Sequence, residues 1–480
     1  MEKYPLYKKI GFLLGPILFI LILVLPFEII NPTAHKVIAV ATWMICWWLT
    51  EALYIAIPAL LPLTIFPLLG VMDIKTVAAN YSSPIVYLFF GGFVIALALE
   101  KVQLHKRIAL SIIKLTGTHA NGVILGFMLA TALMSMWISN TASTVVMLPI
   151  ALSVIKLLID DQDGFTKGEQ SFALAIMLGI AFSANIGGMA TLIGTPPNSV
   201  MAGFLENEFQ ITISFVNWMI MGVPLAVILL GVNYFVITKI FYPNKLGNMA
   251  QSARVIEDEL EKLGSIRKEE KFVLGIFFLT ALAWILRASL NNWFPNLNLT
   301  DTSISMISAM AMLSIPLSLN KGNFTLVWED TKHLPWGILL LFGGGLALAN
   351  GLSQAGIIDL IGKTIAEKEG LSVLAVSSLL IFVMLFMTEL MSNVALVAIF
   401  SPVVAGIAMG MDVPVTHMII PIALASSCAF MLPMSTPPNA IVFASGHIRV
   451  YQMARVGIIL NLISILILIL LSQSLIPILF

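Results

Sequence analysis

The sequence predicts an all-α polytopic membrane protein with about eleven transmembrane helices plus two re-entrant hairpins, arranged as an inverted repeat. Hydrophobic residues make up 59% of the 480 residues and charged residues only 10%, so the chain cannot cover a water-soluble surface. Long apolar runs alternate with short charged loops. Runs of about twenty apolar residues indicate membrane helices, whereas a β-barrel would show a shorter, alternating pattern.

Eleven apolar runs predict the transmembrane spans. The runs are 10–30, 37–50, 53–70, 84–100, 172–205, 215–240, 272–291, 303–319, 336–355, 418–446 and 456–477. Lys3, Lys8 and Lys9 precede the first run, as in a signal peptide. That run is too long for the apolar part of a signal peptide and lacks an Ala-x-Ala cleavage pattern, so we interpret it as the first span.

Two more apolar stretches, 121–155 and 372–409, are interrupted near the middle by Ser, Thr and Asn residues. We interpret both as re-entrant hairpins, because irregular backbone at membrane depth is tolerated only where protein or a water-filled cavity satisfies it. With the N-terminus in the cytoplasm, 20 of the 25 Lys and Arg residues fall on the cytoplasmic side, as the positive-inside rule requires. The five basic residues expected on the outer side are Lys36, Lys75, Arg287, Lys363 and Lys368. Counting the first hairpin as one crossing would move the basic stretch 239–271 outside.

The two halves of the chain repeat on either side of a polar segment, 244–271, which predicts a short amphipathic cytoplasmic helix. The matching motifs are Phe90-Gly91-Gly92 with Phe342-Gly343-Gly344, Ser139-Asn140 with Ser392-Asn393, and Thr195-Pro196-Pro197-Asn198 with Thr436-Pro437-Pro438-Asn439. On the predicted topology the Phe-Gly-Gly span crosses in opposite directions in the two halves, so the repeat is inverted. Inverted repeats with broken helices in matching positions indicate a secondary transporter whose binding site lies at the repeat interface. The glycines themselves are predicted to allow close helix packing.

Each Thr-Pro-Pro-Asn motif must interrupt a helix, because consecutive prolines remove backbone donors and prevent the helix from continuing. We expect carbonyls near Gly194 and Ser435 to lack partners and to face a cation. Half-helices that begin after the breaks and at the hairpin tips direct N-terminal amides inward, which favours an anion. A cation and an anion are therefore expected to bind together.

The side chains around the breaks suit both ligands. Ser135 and Ser139 are four residues apart, as are Thr388 and Ser392, so each pair is expected to share a helical face beside an Asn carbonyl. Neutral oxygens of this kind suit hard monovalent cations. The residues expected to hydrogen-bond carboxylates are Asn140, Thr141, Thr195, Asn393 and Thr436. No Arg or Lys lies in either motif, so co-bound cations and helix dipoles would neutralise an anionic substrate.

Small polar residues also serve simply to let membrane helices approach, and this packing role is the alternative for any single Ser or Thr. Two matched clusters, each followed by a costly Pro-Pro break, favour the binding-site interpretation. Glu389, beside Thr388, has three candidate roles: relaying a proton, tuning cation binding, or hydrogen-bonding across the bundle. An enzyme is not indicated, because the sequence has neither a nucleophile and base pair nor metal-ligand spacing.

The paired motifs Ser139-Asn140-Thr141 and Ser392-Asn393-Val394, each followed by Pro-Pro-Asn, resemble the divalent-anion/sodium symporter family, which includes bacterial sodium/dicarboxylate transporters. The resemblance covers nearly the whole chain. It implies a homodimer with elevator-type alternating access, in which a transport domain moves against a scaffold domain. The divisions of the chain are 1–120 (first-half scaffold helices), 121–214 (first-half hairpin and broken helix), 215–271 (transport-domain helix and cytoplasmic connector), 272–371 (second-half scaffold helices) and 372–480 (second-half hairpin, broken helix and last span).

The resemblance also implies two sodium sites and one substrate site. The first sodium site would use Ser135, Ser139, Asn140 and the Gly194 backbone. The second would use Thr388, Ser392, Asn393 and the Ser435 backbone. The substrate would be surrounded by Asn140, Thr141 and Thr195 on one side and by Asn393, Val394 and Thr436 on the other. Val394 replaces a Thr of some family members and cannot hydrogen-bond, so the substrate identity stays open.

The expected function is sodium-coupled symport of C4 dicarboxylates such as succinate, malate or fumarate across a bacterial inner membrane. The expected partners are a dicarboxylate anion, sodium ions, membrane lipids and a second copy of the chain, with no nucleic acid. Sodium-independent dicarboxylate exchange and sodium-coupled sulfate or tricarboxylate symport are the alternatives within the family. An anion channel is the alternative outside it, although a channel needs a continuous polar pore and the polar residues here concentrate in two clusters.

Overall fold

The computed structural model describes residues 5–25, 31–156, 166–244, 246–247, 250–294, 296–318, 322–368, 370 and 372–480. The helices of the first half are α1 (Leu6–Val24), α2 (Pro32–Thr50), α3 (Leu61–Leu68), α4 (Ile74–Tyr81), α5 (Pro84–Lys101), α6 (Leu104–Leu115), α7 (Ala120–Ser135), α8 (Asn140–Lys156), α9 (Lys167–Gly188), α10 (Pro196–Phe209) and α11 (Phe215–Phe235). A 3-10 turn, Pro58–Leu60, precedes α3, and a π-helical turn, Val236–Phe241, extends α11.

The helices of the second half are α12 (Ala250–Leu263), α13 (Lys268–Trp293), α14 (Asp301–Ser314), α15 (Trp336–Gln354), α16 (Ile357–Ala366), α17 (Val373–Met387), α18 (Asn393–Gly410), α19 (Val415–Ser426), α20 (Pro437–Ala444), α21 (Val450–Gln473) and α22 (Ile476–Leu479). Between α14 and α15 lie a small antiparallel hairpin, β1 (Pro316–Ser318) with β2 (Asn323–Phe324), and a 3-10 helix, Trp328–His333.

Within the described residues, eight helices are long and apolar enough to cross a membrane, and five shorter apolar helices accompany them. The predicted class of a polytopic helical membrane protein is therefore confirmed, while the number of eleven crossings stays a prediction. Two of the eight combine consecutive helices named above, α4 with α5 and α21 with α22. The eight are Leu6–Val24, Ile74–Lys101, Lys167–Gly188, Phe215–Phe241, Lys268–Trp293, Trp336–Gln354, Asn393–Gly410 and Val450–Leu479.

Several elements differ from the predicted spans. The predicted span 53–70 contains only the eight-residue α3 after a 3-10 turn, because prolines at 58, 62 and 67 restrict the helix. The helices α6 and α16 were not predicted, since they are short and amphipathic and do not read as long apolar runs. The last five residues of the first predicted span, 26–30, lie outside the described residues.

The order of the helices repeats between the halves, as the motifs predict. The series α5 to α11 recurs as α15 to α21, with α8 beginning at Asn140 and α18 at the matching Asn393. Both Thr-Pro-Pro-Asn motifs break a helix, and α10 and α20 begin at the first proline of each motif, Pro196 and Pro437. The opposite orientation of the halves in the membrane remains a prediction.

The predicted close packing at the Phe-Gly-Gly motifs is confirmed. A Cβ on Gly91 of α5 would overlap the Ser305 hydroxyl and lie 2.8 Å from the Ser305 backbone carbonyl on α14. A Cβ on Gly343 or Gly344 of α15 would overlap Tyr81 or Ala59 respectively. These helices approach each other through their backbones, so even one methyl group is excluded.

Replacing Gly91 with alanine is therefore expected to destabilise the α5–α14 contact by about 1–3 kcal/mol, the usual cost of overpacking. Gly231 on α11 provides the matched control, because open space surrounds its Cβ position. Thermal unfolding in detergent should show a lower melting temperature for Gly91→Ala and an unchanged or higher one for Gly231→Ala. Equal melting temperatures for the two variants would contradict the packing role.

The predicted amphipathic helix of the polar connector is present as α12. Glu259 of α12 accepts hydrogen bonds from Lys106 of α6 (2.7 Å) and from Lys262 (2.6 Å). These two ammonium groups, Lys106 first, hold the pKa of the Glu259 carboxyl below its ordinary value. The next helix begins with a second charged group, in which Glu270 pairs with both Arg107 and Arg267. The connector is therefore fixed to α6.

Candidate functional site

Each predicted hairpin consists of two helices joined by an irregular tip, and each tip contacts the broken helix of its own half. The re-entrant course of the hairpins in the membrane stays a prediction. Residues 136–139 join α7 to α8, and residues 388–392 join α17 to α18. In the first half the Ser135 hydroxyl donates to the Ala184 carbonyl of α9 at 2.7 Å. In the second half the Thr388 hydroxyl donates to the Ser426 carbonyl of α19 at 2.6 Å. Matching positions of the two motifs thus make matching contacts.

The first cluster gathers Ser135, Asn140 and the Gly194 carbonyl. The Asn140 amide group lies 2.6 Å from the Ser135 hydroxyl and 3.3 Å from the carbonyl oxygens of Gly194 and Ala184. The amide has two possible orientations. If the Asn140 oxygen faces these groups, it converges with the Ser135, Gly194 and Ala184 oxygens, and the Ser135 hydroxyl supplies the only proton among the four. If the nitrogen faces them, the amide donates to all three oxygens. In the first orientation the oxygens need a positive partner, which is the chemistry of a hard-cation site, and in the second the amide itself fills that role.

The second cluster gathers Thr388, Asn393 and the Ser426 carbonyl. The Thr388 hydroxyl lies 2.6 Å from the Asn393 amide oxygen as well as from Ser426. Ser435 is buried, and within the described part of the chain no hydrogen bond joins it to Thr388 or Asn393. Its place in the second sodium site therefore stays a prediction.

The expectation that Ser135 and Ser139 share a helical face is wrong, as is the same expectation for Thr388 and Ser392. The helix α7 ends at Ser135, and α17 ends at Met387, so an irregular tip separates the members of each pair. Ser139 and Ser392 instead cap the following helices by accepting from the backbone N–H groups of Ala142 (3.1 Å) and Ala395 (3.5 Å).

Two asparagines, whose role the sequence did not reveal, hold the breaks in shape. Asn198 donates to the carbonyls of Thr191 (2.9 Å) and Gly188 (3.3 Å). Asn439 donates to the carbonyls of Leu432 and Ala429 and to the Ser435 hydroxyl, each at 3.1 Å. Several carbonyls expected to lack partners are thus already paired inside the break. The Gly194 carbonyl instead faces the first cluster.

A third asparagine joins the two halves. Asn185 of α9 donates to the Thr436 hydroxyl at 3.1 Å and to the Ala429 carbonyl at 3.2 Å, both in the second break. In addition, α10 packs against α18, and α20 packs against α8, so each half-helix contacts the hairpin of the other half. The two motifs therefore form one continuous region. Sequence reasoning missed Asn185, because it lies inside an apolar helix without a matching Asn in the second half.

The remaining predicted substrate residues lie at helix N-termini in this region. Thr195 and Thr436 are buried at the starts of α10 and α20, while Thr141 is exposed in the first turn of α8. Val394 is half-buried in the first turn of α18. The helices α10 and α20 each begin with two prolines, which have no N–H, and Ser139 and Ser392 already accept from amides of α8 and α18. The anion is therefore favoured by the positive ends of the four helix dipoles and by the side chains. Lys and Arg are absent from both motifs.

A cavity of about 1150 Å³ reaches the second hairpin tip at Ser392. Its other walls come from the start of α1, the end of α2 with Trp47 and Trp48, and the loop after α2 with Tyr54. Lys8 and Glu51, 3.4 Å apart, also line it. The second tip therefore borders this cavity at one residue, Ser392.

Comparisons with known proteins cover the whole chain. The family model for the sodium:sulfate symporter transmembrane region matches residues 8–480. The sodium-dependent dicarboxylate transporter SdcS of Staphylococcus saprophyticus is 38% identical over 482 residues, covering 99% of this chain and 93% of the relative. The transporter of the same name from Staphylococcus aureus strain USA300 is 38% identical over 481 residues, covering 98% and 92%.

Two solved transporters share the fold at low sequence identity. The YdaH transporter of Alcanivorax borkumensis superposes with a TM-score of 0.57 and 12% identity, covering 83% of this chain and 86% of that one. MtrF of Neisseria gonorrhoeae superposes with a TM-score of 0.51 and 14% identity, covering 98% and 95%. At such identities the likeness concerns the fold alone.

Proposed function

The chain belongs to the sodium:sulfate symporter family, and we propose that it is a secondary active transporter that carries C4 dicarboxylates such as succinate, malate and fumarate together with sodium ions. The relatives that are 38% identical over nearly the whole chain are named sodium-dependent dicarboxylate transporters, which supports this choice of substrate and ion. We place it in the bacterial plasma membrane with its N-terminus in the cytoplasm, as the distribution of Lys and Arg favours.

The observation that carries the proposal is the convergence of oxygens on the Asn140 amide. The Ser135 hydroxyl and the Gly194 and Ala184 carbonyls all lie within 3.3 Å of that group. A sodium ion among these oxygens would receive neutral ligands, and the Asn140 oxygen would then face the ion. Thr388, Asn393 and the Ser426 carbonyl supply a similar set in the second half, so two sodium sites are proposed. Ser139, Ser392 and Ser435 complete the proposed ligand sets.

The substrate is proposed to lie between the two clusters, among the four helix N-termini. Asn140, Thr141, Thr195, Asn393 and Thr436 would donate to its carboxylates, and Val394 would contact its carbon chain. Because no Lys or Arg lies in the motifs, the bound sodium ions and the helix dipoles would balance the charge of a dianion. The anion would then bind well only after sodium, which couples the two movements.

Residues 121–271 and 372–480 are proposed to form a transport domain that moves as a body, and residues 1–120 and 272–371 a scaffold that holds two protomers together. The contacts of α10 with α18 and of α20 with α8 join the two clusters. The proposed motion would have to break the contacts of α10 with α15, and of α18 with α15 and α16, which belong to the scaffold. With the N-terminus in the cytoplasm, the cavity at Ser392 would connect the second tip to the inner side of the membrane in this proposal.

Sulfate is the second candidate substrate, because the family model is named for sodium:sulfate symport. Both anions are divalent and would use the same amides and hydroxyls. They differ in length, and a dicarboxylate can reach both halves of the site at once. Competition experiments therefore decide between them.

The test is uptake of labelled succinate into proteoliposomes of the purified protein. Uptake should require an inward sodium gradient, should fail with potassium instead, and should be inhibited by malate and fumarate more strongly than by sulfate or citrate. Uptake that needs only internal succinate would identify an exchanger. Uptake of sulfate without uptake of succinate would overturn the dicarboxylate assignment.

Replacing Val394 with threonine is expected to strengthen succinate binding. The added hydroxyl would lie beside Asn393 and donate to a carboxylate, which we expect to lower the KM for succinate about 5-fold at saturating sodium. Val403→Thr on the same helix is the matched control and should leave the KM unchanged. An unchanged KM for Val394→Thr would mean that Val394 does not contact the substrate.

A further inference from the structure

We propose that Glu389 is a positioning residue that ties the second hairpin tip to the second break and places a negative charge beside Thr388, so that the second cation site binds sodium more tightly than the first. The inference rests on the proposed function and concerns how its two sodium sites differ. None of the predicted ligand sets includes Glu389.

The carboxylate of Glu389 is buried, with 2% of the residue exposed, and it accepts four hydrogen bonds. Its Oε1 atom accepts from the backbone N–H groups of Phe430 (2.8 Å) and Met431 (2.9 Å) and from the Asn461 amide (2.7 Å). Its Oε2 atom accepts from the Leu432 N–H at 3.1 Å. All four partners are donors, which is the pattern of an ionised carboxylate, since a protonated one would place its own O–H against a donor.

These contacts hold three consecutive amides of the second break. Residues 430–432 lie between the end of α19 at Ser426 and the Thr-Pro-Pro-Asn motif, where the backbone is not helical. Without Glu389 these amides would face the buried interior unpaired. Because Asn461 belongs to α21, one side chain fixes the hairpin tip, the break and the last long helix together.

The first half achieves the same geometry without a charge. The residue that matches Glu389 is Met136, 253 positions earlier. There the amides of Met189 and Ala190 bond to the carbonyls of Ile186 and Gly187, and the Thr191 hydroxyl donates to the Met136 carbonyl at 2.6 Å. The two clusters therefore resemble each other in their ligands and differ by one full negative charge.

No Lys or Arg of the surrounding segment balances the charge of Glu389, because residues 373–444 contain neither. Thr388 precedes Glu389 in the chain and belongs to the second cluster. A carboxylate carried by the residue that follows a cation ligand, in a poorly solvated region, attracts the cation. We expect the resulting difference in sodium affinity between the two sites to be at least about tenfold.

The first experiment measures binding of labelled sodium to the purified protein in detergent, without substrate. Wild type should bind sodium in two steps of different affinity. Thr388→Val should remove the tighter step and Ser135→Ala the weaker one. If wild type transports succinate with sodium but the two steps have equal affinity, or if Ser135→Ala removes the tighter step, the inference fails. If wild type binds no sodium, the proposed function fails instead.

The second experiment replaces Glu389 with glutamine, which keeps the size, removes the charge and leaves the oxygen to accept from Phe430, Met431 and Asn461 while the NH2 group faces the Leu432 N–H. The sodium concentration for half-maximal uptake should rise about tenfold, while the succinate KM at saturating sodium should change much less. Leu390→Gln places the same side chain one residue further along the exposed tip and serves as the control. A purely structural role predicts lower stability and a smaller maximal rate with unchanged sodium dependence, and that result would overturn the inference.

Discussion

Replacing Asn140 or Asn393 with alanine is expected to reduce sodium-driven succinate uptake at least about 100-fold. Each asparagine is the centre of one cluster, with the Ser135 or Thr388 hydroxyl 2.6 Å from its amide. Removing the amide takes one ligand from a cation site and one donor from the adjoining anion site. Losing a hydrogen-bonded partner of a charged ligand costs about 1.5–3 kcal/mol, and each variant loses both kinds of contact at once.

Two buried hydroxyls on the same hairpin arms provide the matched controls. Thr144 on α8 donates to the Asn140 carbonyl, and Ser401 on α18 donates to the Val397 carbonyl, so both bond only within their own helices. Thr144→Val and Ser401→Ala should transport close to the wild-type rate. Sodium binding and uptake should be measured together with thermal stability. If all four variants lose uptake in proportion to their stability, the clusters serve packing and the binding-site proposal fails.

The fold was predictable wherever one short segment decides the structure. A run of about twenty apolar residues must cross the membrane or lie buried, and two consecutive prolines must end a helix. The breaks at Thr195 and Thr436 therefore appeared where the sequence placed them. The helices α6 and α16 were not predicted, because each is short and has only one apolar face, so its sequence contains no long hydrophobic run.

The candidate site was predictable in its residue types and less so in its contacts. The convergence of Ser135, Asn140 and Gly194 was inferred from the family resemblance and is present in the structure. The contact of Asn185 with Thr436 joins residues 251 positions apart, and nothing in the local sequence distinguishes Asn185 from a residue that packs between helices. A spacing of four residues places two side chains on one face only if the helix continues through both. The prediction for Ser135 and Ser139 was wrong because α7 ends at Ser135.

The second large effect is expected from replacing Asn439 with aspartate. The Asn439 nitrogen donates to the carbonyls of Leu432 and Ala429 and to the Ser435 hydroxyl. Aspartate has the same shape, but it would turn an oxygen, and with it a buried negative charge, toward two carbonyl oxygens. Both carbonyls keep another donor, Asn185 at Ala429 and Ser435 at Leu432, so the cost comes from the unpaired buried charge and its repulsion by the two carbonyl oxygens. This should destabilise the protein by about 3–5 kcal/mol.

Asn207→Asp near the end of α10 is the matched control for this variant, because Asn207 accepts from the Ser83 hydroxyl and aspartate can do the same. Asn439→Asp should melt at least about 5 °C below wild type in detergent and should lose uptake, while the control should do neither. Asn198→Asp should behave like Asn439→Asp, since Asn198 donates to the carbonyls of Gly188 and Thr191 in the first break. If Asn439→Asp melts like wild type but loses uptake, Asn439 belongs to the binding site itself. That outcome would contradict the structural role, because the break would then keep its shape without the donor that spans it.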